Sequence, residues 1–136
     1  MKKLFIAAFM LVSSFGTNVM ADGHAIKMGI ILGFTGPIES LTPAMAASAE
    51  LAFKEASDSG SLLGGKKIEV VRADSTCVDS AAATAAAEGV ISQGVAAIMG
   101  ADCSGVTGAI ASNVAVPNGV VTVSYTHLTL PTKRIV

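Results

Sequence analysis

The sequence is poor in aromatic and basic residues. It contains no Trp, one Tyr and 4% aromatic residues in total, and its 9 Lys and Arg residues do not outnumber its 10 Asp and Glu residues. Proteins that bind nucleic acids usually combine a basic surface with aromatic side chains that stack on bases. Because this chain has neither, its composition argues against a nucleic-acid partner.

Histidine is also scarce, which bears on catalysis. The only two histidines are His24 and His127, near the two ends of the chain. A Cys or Ser nucleophile needs a general base, most often His. Cys103 and Ser104 therefore lack an evident partner, and the residues around Ser104 do not match the G-x-S-x-G motif of serine hydrolases. With no acid/base or metal-ligand pattern either, the sequence predicts a protein that is not an enzyme and holds no metal or cofactor.

The stretch GSLLGGKK, residues 60–67, nearly matches the phosphate-binding pattern G-x-x-x-x-G-K-[ST]. Its last residue is Lys67, which has no hydroxyl for Mg²⁺. A helical pattern precedes the stretch and a strand pattern follows it, the reverse of the order that phosphate binding requires. We interpret the stretch as a turn between a helix and a strand.

Hydrophobic residues, in contrast, make up 51% of the chain. The apolar run LFIAAFMLV, residues 4–12, follows Lys2 and Lys3, and a pattern of small residues ends at Ala21. These features are typical of a secretory signal peptide that covers residues 1–21. The run is shorter than the roughly 20 residues that span a bilayer, and an N-terminal membrane anchor is the alternative. The sequence therefore predicts export from the cytoplasm.

The predicted export bears on the state of the two cysteines. Cys77 and Cys103 are the only cysteines of the chain. An even number of cysteines in an oxidising compartment favours a disulfide. Free buried thiols and a catalytic Cys103 are the alternatives.

The chain after residue 21 alternates between strand and helix patterns. Apolar runs predict strands at residues 26–33, 66–74, 95–99 and 120–123. Helices are predicted between them, with N-caps at Thr42, at Asp79 or Ser80, and at Ser104. The apolar face of the first helix is predicted to hold Met45, Ala49, Ala52, Phe53 and Ala56. This alternation predicts an α/β fold, a parallel sheet with flanking helices.

Ligands of such folds bind at the carboxyl ends of the strands. The stretch MGADCSGVTG, residues 99–108, begins at one of these ends. Ser104 either caps the third helix only or caps it and also helps its first backbone amides to bind a carboxylate, with Gly105 leaving room for the ligand. Asp102 is assigned no role and is expected to face water.

Three stretches resemble the Leu/Ile/Val-type periplasmic substrate-binding proteins of ABC transporters. They are IKMGIILGFTGPIE, KKIEVVRADSTCVD, and IMGADCSGVTGAI with VAVPNGVVTVS, and they occur in the family's order over residues 25–124. The resemblance implies a type I periplasmic binding protein, in which two α/β lobes close over a small ligand. It also implies that residues 22–124 form only part of the N-terminal lobe.

The resemblance assigns a ligand site as well. In the family, the Ser after the second Cys binds the α-carboxylate of an amino acid through its hydroxyl and backbone N–H, and this Ser is Ser104 here. Some members place an aromatic residue of the first loop against the ligand side chain, at about the position of Leu41. The family's cysteines pair in well-studied members, in agreement with a bond between Cys77 and Cys103.

Residues 125–136, YTHLTLPTKRIV, depart from the family's pattern after the fourth strand. They resemble spurious translations through adaptor-like DNA, so we predict a non-native tail there, with a genuine divergent end as the alternative.

The resemblance implies a periplasmic substrate-binding component of an amino-acid ABC transporter. Branched-chain amino acids are the favoured ligands, and a permease in the inner membrane is the expected partner. One alternative is an extracellular ligand-sensing domain of the same fold. The other is a secreted hydrolase, for which the sequence offers no catalytic constellation.

Overall fold

The computed structural model describes residues 25–124. The strands are β1 (Ile26–Leu32), β2 (Ile68–Asp74), β3 (Ala97–Gly100) and β4 (Val121–Val123), and the helices are α1 (Thr42–Asp58), α2 (Ser80–Ser92) and α3 (Ser104–Ile110). A short 3-10 turn, Leu62–Gly64, precedes β2, and a π-helical segment, Ala111–Ala115, continues α3. The predicted signal peptide (residues 1–21) and the predicted tail (residues 125–136) lie outside the described residues and stay predictions.

The four strands form one parallel sheet in the order β2-β1-β3-β4. The predicted α/β fold, a parallel sheet with flanking helices, is confirmed. β1 is central and pairs with β2 along its whole length and with β3 from Met28 to Ile31. The crossover from β1 to β2 runs in one direction along the sheet, and those from β2 to β3 and from β3 to β4 run in the other. Right-handed crossovers of opposite direction place their helices on opposite faces of the sheet. Accordingly, α1 covers one face and α2 with α3 covers the other.

The core is built from the alternating side chains of β1. Ile31 faces α2 and α3, whereas Ile30 and Leu32 face α1, and all three are fully buried. The α2 side of the core is filled by small residues, among them Ala83 and Ala87. Small side chains let a helix lie close to a sheet, and a Cβ added to Gly29 of β1 would lie 2.7 Å from Val90 Cγ1 of α2.

Two details differ from the expectation, and a third agrees with it. Leu41, not Thr42, is the N-cap of α1, because the Thr42 hydroxyl is turned inward and donates a hydrogen bond to the Gly33 carbonyl oxygen at 3.1 Å. Ala52 was predicted on the apolar face of α1 but is exposed, and Ala46 is buried in its place. The prediction for α2 is confirmed, since the Asp79 carboxylate accepts from the amides of Ala81 at 2.9 Å and Ala82 at 3.0 Å.

One part of the sheet is uncovered among the described residues. Val121 and Val123 of β4 are 63% and 62% exposed. Their register with Ala97 and Met99 puts them on the face that α1 covers over β1 and β2. Among residues 25–124, no helix has the length and apolar character needed to cross a membrane.

Candidate functional site

The candidate site lies at the carboxyl edge of the sheet, between β1 and β3. From β1 the chain crosses to β2 on one side, and from β3 it crosses to β4 on the other side. The loops that leave these two neighbouring strands therefore turn away from each other and leave a crevice, which is where ligands bind in open parallel sheets. The loop after β1 leads to Leu41, and the loop after β3 leads to Ser104 and Gly105.

The predicted disulfide between Cys77 and Cys103 is present. The Cα atoms of the two residues are 5.3 Å apart, and 26 positions separate them in the sequence. The bond joins the loop after β2 to the residue that directly precedes α3. Since both sulfur atoms are bonded to each other, neither Cys is a nucleophile in this state, and the bond holds the start of α3 against the loop after β2.

The start of α3 differs from the prediction in one respect. Cys103 is the N-cap, and Ser104 is the first residue of the helix, so Ser104 does not cap it. Within residues 25–124, no side chain accepts a hydrogen bond from the first amides of α3. These amides have no partner within a helix, so they are left for solvent or for a ligand. Helix α2 of the same chain differs, because there the Asp79 carboxylate accepts hydrogen bonds from the first amides of the helix.

Ser104 and Gly105 are both exposed. The Ser104 hydroxyl makes no hydrogen bond with any of the described residues. A Cβ added to Gly105 would meet no atom of residues 25–124 within 4 Å. The hydroxyl, the uncapped amides and the open space beside Gly105 together form a small donor surface at the edge of the crevice.

Leu41 lies at the same end of the sheet, at the end of the loop after β1. Its side chain is 61% exposed and is thus available for an apolar contact. No hydrogen bond joins Leu41 to Ser104 in the described part of the chain. The structure therefore places the two predicted ligand contacts on the two loops that border the crevice.

Sequence reasoning missed the polar residues that hold these loops together. Asp102 was expected to face water without a role, and this was wrong. Its carboxylate is half-buried and accepts from the Gly33 amide at 2.7 Å and from the Ser75 hydroxyl at 3.2 Å. The only available signal was its position, as an acid two residues after a buried strand.

Asp74, the last residue of β2, makes a second set of hydrogen bonds between these loops. Its carboxylate accepts from the Thr35 hydroxyl at 2.6 Å and from the backbone amides of Thr76 at 2.8 Å and Thr35 at 3.3 Å. Burial by itself would raise the pKa of the Asp74 carboxyl, but these hydrogen bonds outweigh it and hold the pKa below the usual range. The ionised form of Asp74 thus fixes the loop after β1 to the loop after β2.

A different cavity lies at the opposite, amino end of the sheet. It has a volume of about 360 Å³ and is lined by apolar residues of β1, β2, α1 and the turns beside them: Ile26, Met28, Phe53, Ala56, Leu62, Ile68 and Ala96. Binding sites normally add a few polar groups that orient the ligand, and this lining has no polar side chain. The carboxyl edge is the better candidate because it carries free donors.

Residues 25–124 contain no group of three or more His, Cys, Asp or Glu side chains arranged to hold a metal ion. The donors at the start of α3 are a hydroxyl and backbone amides, which suit an anion rather than a cation. The arrangement can bind a carboxylate.

Comparison with known proteins gives the class. A family model described as "Periplasmic binding protein" matches residues 25–134. Since this match covers more than half of the sequence, the chain belongs to the periplasmic binding protein family. Its sheet and flanking helices correspond to part of one lobe of the type I fold. No curated protein matches the chain.

Three solved structures are similar to the chain. The branched-chain amino acid transporter substrate-binding protein LivJ from Streptococcus pneumoniae, in complex with isoleucine, is 32% identical with a TM-score of 0.65, over 74% of this chain and 28% of that one. The leucine-binding protein LivK from Thermotoga maritima is 28% identical with a TM-score of 0.57, over 74% and 27%. An ABC-transporter solute-binding protein from R. palustris, in complex with benzoate, is 28% identical with a TM-score of 0.61, over 74% and 27%.

The chain thus spans less than a third of the length of each of these structures. The family and these neighbours consist of solute-binding proteins rather than enzymes.

Proposed function

We propose that this chain is the first part of the N-terminal lobe of a periplasmic substrate-binding protein. The complete protein binds a branched-chain amino acid and delivers it to an ABC permease in the inner membrane. Residues 1–21 direct export and are removed, and residues 22–124 belong to the lobe. The protein binds and releases its ligand without changing it chemically.

The observation that carries this proposal is the uncapped start of α3. Its first amides and the Ser104 hydroxyl are unpaired donors in the described chain, and they lie at the carboxyl edge beside the switch point. A helix start carries a partial positive charge and binds anions well. The ligand's carboxylate thus accepts hydrogen bonds from Ser104 and Gly105 at the start of α3, as the Asp79 carboxylate accepts them from the first amides of α2.

The ligands of the similar structures support a carboxylate. Isoleucine and benzoate, which are bound to two of those proteins, share a carboxylate attached to an apolar body. Leu41, exposed on the opposite border of the crevice, supplies an apolar contact for such a body. A second lobe, outside this chain, closes over the ligand by a hinge motion.

The test uses the complete protein, expressed from its uninterrupted gene and titrated calorimetrically with a panel of amino acids. We expect leucine, isoleucine or valine to bind. Ser104→Ala removes one hydrogen bond to a charged group, which is worth about 1.5–3 kcal/mol, so affinity should fall by about 10-fold to 100-fold.

A pair of glycine variants separates binding from folding. Neither Gly105 nor Gly108 of α3 has an atom within 4 Å of an added Cβ, so both positions accept Ala without a clash within residues 25–124. Gly105→Ala should weaken binding because its methyl group occupies the space of the ligand, whereas Gly108→Ala should bind normally. Equal affinities for these two variants, or a complete protein that binds no amino acid, would refute the proposal.

A further inference from the structure

The side chain of Asp102 connects the ends of three strands, the two that border the crevice and β2 beside them. Gly33 follows β1, Ser75 follows β2 and Asp102 follows β3. One oxygen of the Asp102 carboxylate accepts from the Gly33 amide at 2.7 Å, and the other accepts from the Ser75 hydroxyl at 3.2 Å. One side chain therefore sets the relative positions of three loops.

Both partners of Asp102 are rigidly held. Gly33 and Ser75 are buried, and the Ser75 amide donates to the carbonyl oxygen of Leu32 at 2.9 Å. The Gly33 carbonyl oxygen accepts from the buried Thr42 hydroxyl at 3.1 Å. Because its partners are buried and hydrogen-bonded to the end of β1 and the start of α1, the carboxylate ties its own backbone to them, and Cys103 and Ser104 follow directly in the chain.

The space around Gly33 makes the contact specific. A Cβ added to Gly33 would lie 3.2 Å from the Cβ of Cys77 and 3.5 Å from Oδ2 of Asp102. The loops after β2 and β3 therefore both press against the end of β1. The disulfide from Cys77 to Cys103 joins the same two loops on the other side of Asp102, so the residue before Ser104 is held from two directions.

We propose that Asp102 is a positioning residue for ligand binding. It fixes the start of α3 relative to the loop after β1, so that Ser104 and Gly105 present their donors in one geometry. This role rests on the proposed function. A carboxylate suits it because it accepts two hydrogen bonds at once, and its charge shortens and strengthens them. An Asn side chain has one uncharged acceptor oxygen, so its bond to the Gly33 amide is weaker, and it keeps Ser75 only by reversing that bond and donating to the Ser75 oxygen.

If Asp102 positions the donors at the start of α3, its loss has an effect that a loss of fold stability alone would not have. Donors that must be ordered when the ligand arrives reduce its affinity even in a fully folded protein. Loss of the Asp102 contacts should therefore weaken binding at temperatures far below the unfolding transition. The weaker binding should arise from faster release of the ligand than in the unaltered protein.

The experiment compares variants of the complete protein at 20 °C, with L-leucine and L-isoleucine as probes. Asp102→Asn should bind about tenfold more weakly. Ser75→Ala, which removes one of the two contacts, should bind about threefold more weakly and covers the case in which Asp102→Asn does not fold. Asp58→Asn, which removes an exposed acid at the end of α1, is the matched control and should bind like the unaltered protein.

A spectroscopic measurement reports the contact itself. In protein labelled with isotopic glycine, the amide proton of Gly33 should move upfield in Asp102→Asn, because its hydrogen bond to a charged acceptor is lost. Unchanged affinities in both variants, together with a shifted Gly33 resonance, would overturn the role of Asp102 and leave the proposed function intact. Failure of the unaltered protein to bind either amino acid would refute the proposed function itself.

Discussion

Removal of the disulfide should lower the stability of this lobe by an amount that the loop length sets. The change is Cys77→Ala together with Cys103→Ala, which leaves no free thiol. The two residues are 26 positions apart. In the chain-entropy model, closing a loop of this size restricts the unfolded chain and stabilises the folded one by about 3.5 kcal/mol at 25 °C.

The backbone conformation beside the disulfide costs free energy in the folded state and offsets part of this stabilisation. Thr76 and Cys77 both have positive φ angles, 56° and 69°. A left-handed conformation costs a residue other than Gly about 1 kcal/mol or more. If Cys77 relaxes when the bond is absent, about 1 kcal/mol is recovered. The expected loss is therefore between about 2.5 and 3.5 kcal/mol.

Hydrogen exchange in the complete protein measures this loss locally. Amides of α2 and α3 that exchange by opening of the lobe should exchange about 70-fold to 400-fold faster in the double variant. Two controls isolate the bond: the unaltered protein in dithiothreitol and the single variant Cys77→Ala should both match the double variant. A difference below about 1 kcal/mol between oxidised and reduced protein would refute the loop-closure argument.

Three further predictions concern the loops and the exposed sheet face. Gly36→Ala should destabilise the lobe by about 1–3 kcal/mol in urea unfolding, because Gly36 has φ +100° and an added Cβ would lie 2.5 Å from the Thr76 carbonyl oxygen; Gly60→Ala, also at positive φ but without a neighbour within 4 Å, should cost less, and equal losses would contradict this. The lowered pKa of Asp74 means that its stabilisation is complete above the unfolded value and is lost as pH falls through the folded value. Urea unfolding should therefore show a loss of stability below about pH 4 that is smaller in Asp74→Asn, and identical pH profiles would contradict it. Residues 22–136 expressed alone should aggregate or fold marginally because Val121 and Val123 are exposed, and threonine at both positions should raise solubility in a sedimentation assay; a sharp thermal transition with micromolar leucine binding would contradict this.

The alternation of apolar runs was enough to predict the fold. A continuous apolar run is typical of a strand buried on both faces, as β1 is, and helical periodicity between the strands arises from local geometry, which a sequence displays directly. Export context and an even cysteine count favoured the bond between Cys77 and Cys103, which the structure contains. The same local logic predicted the cap of α2 at Asp79 or Ser80, and the structure has it at Asp79, because a capping carboxylate and its amides are only two or three residues apart.

Long-range polar contacts could not be predicted. Asp102 bonds to Gly33 and Ser75, whose positions relative to it depend on how the strands are ordered in the sheet. Thr42 looked like an ordinary N-cap because its sequence neighbours fit one, but a carbonyl oxygen from the end of β1 attracts its hydroxyl instead. The roles of Ser104, Gly105 and Leu41 in binding stay predictions, since they concern contacts with a ligand.

The central place of β1 in the sheet has a consequence for biogenesis. Among residues 25–124, β1 is synthesised before the other strands, yet its partner β3 follows only after α1, β2 and α2. Until then, Ile30 and Ile31 have no completed core to enter, and one edge of the strand lacks hydrogen-bond partners. The nascent segment thus exposes apolar side chains and an unpaired strand edge until its distant partner emerges, and this interval is when aggregation competes with folding.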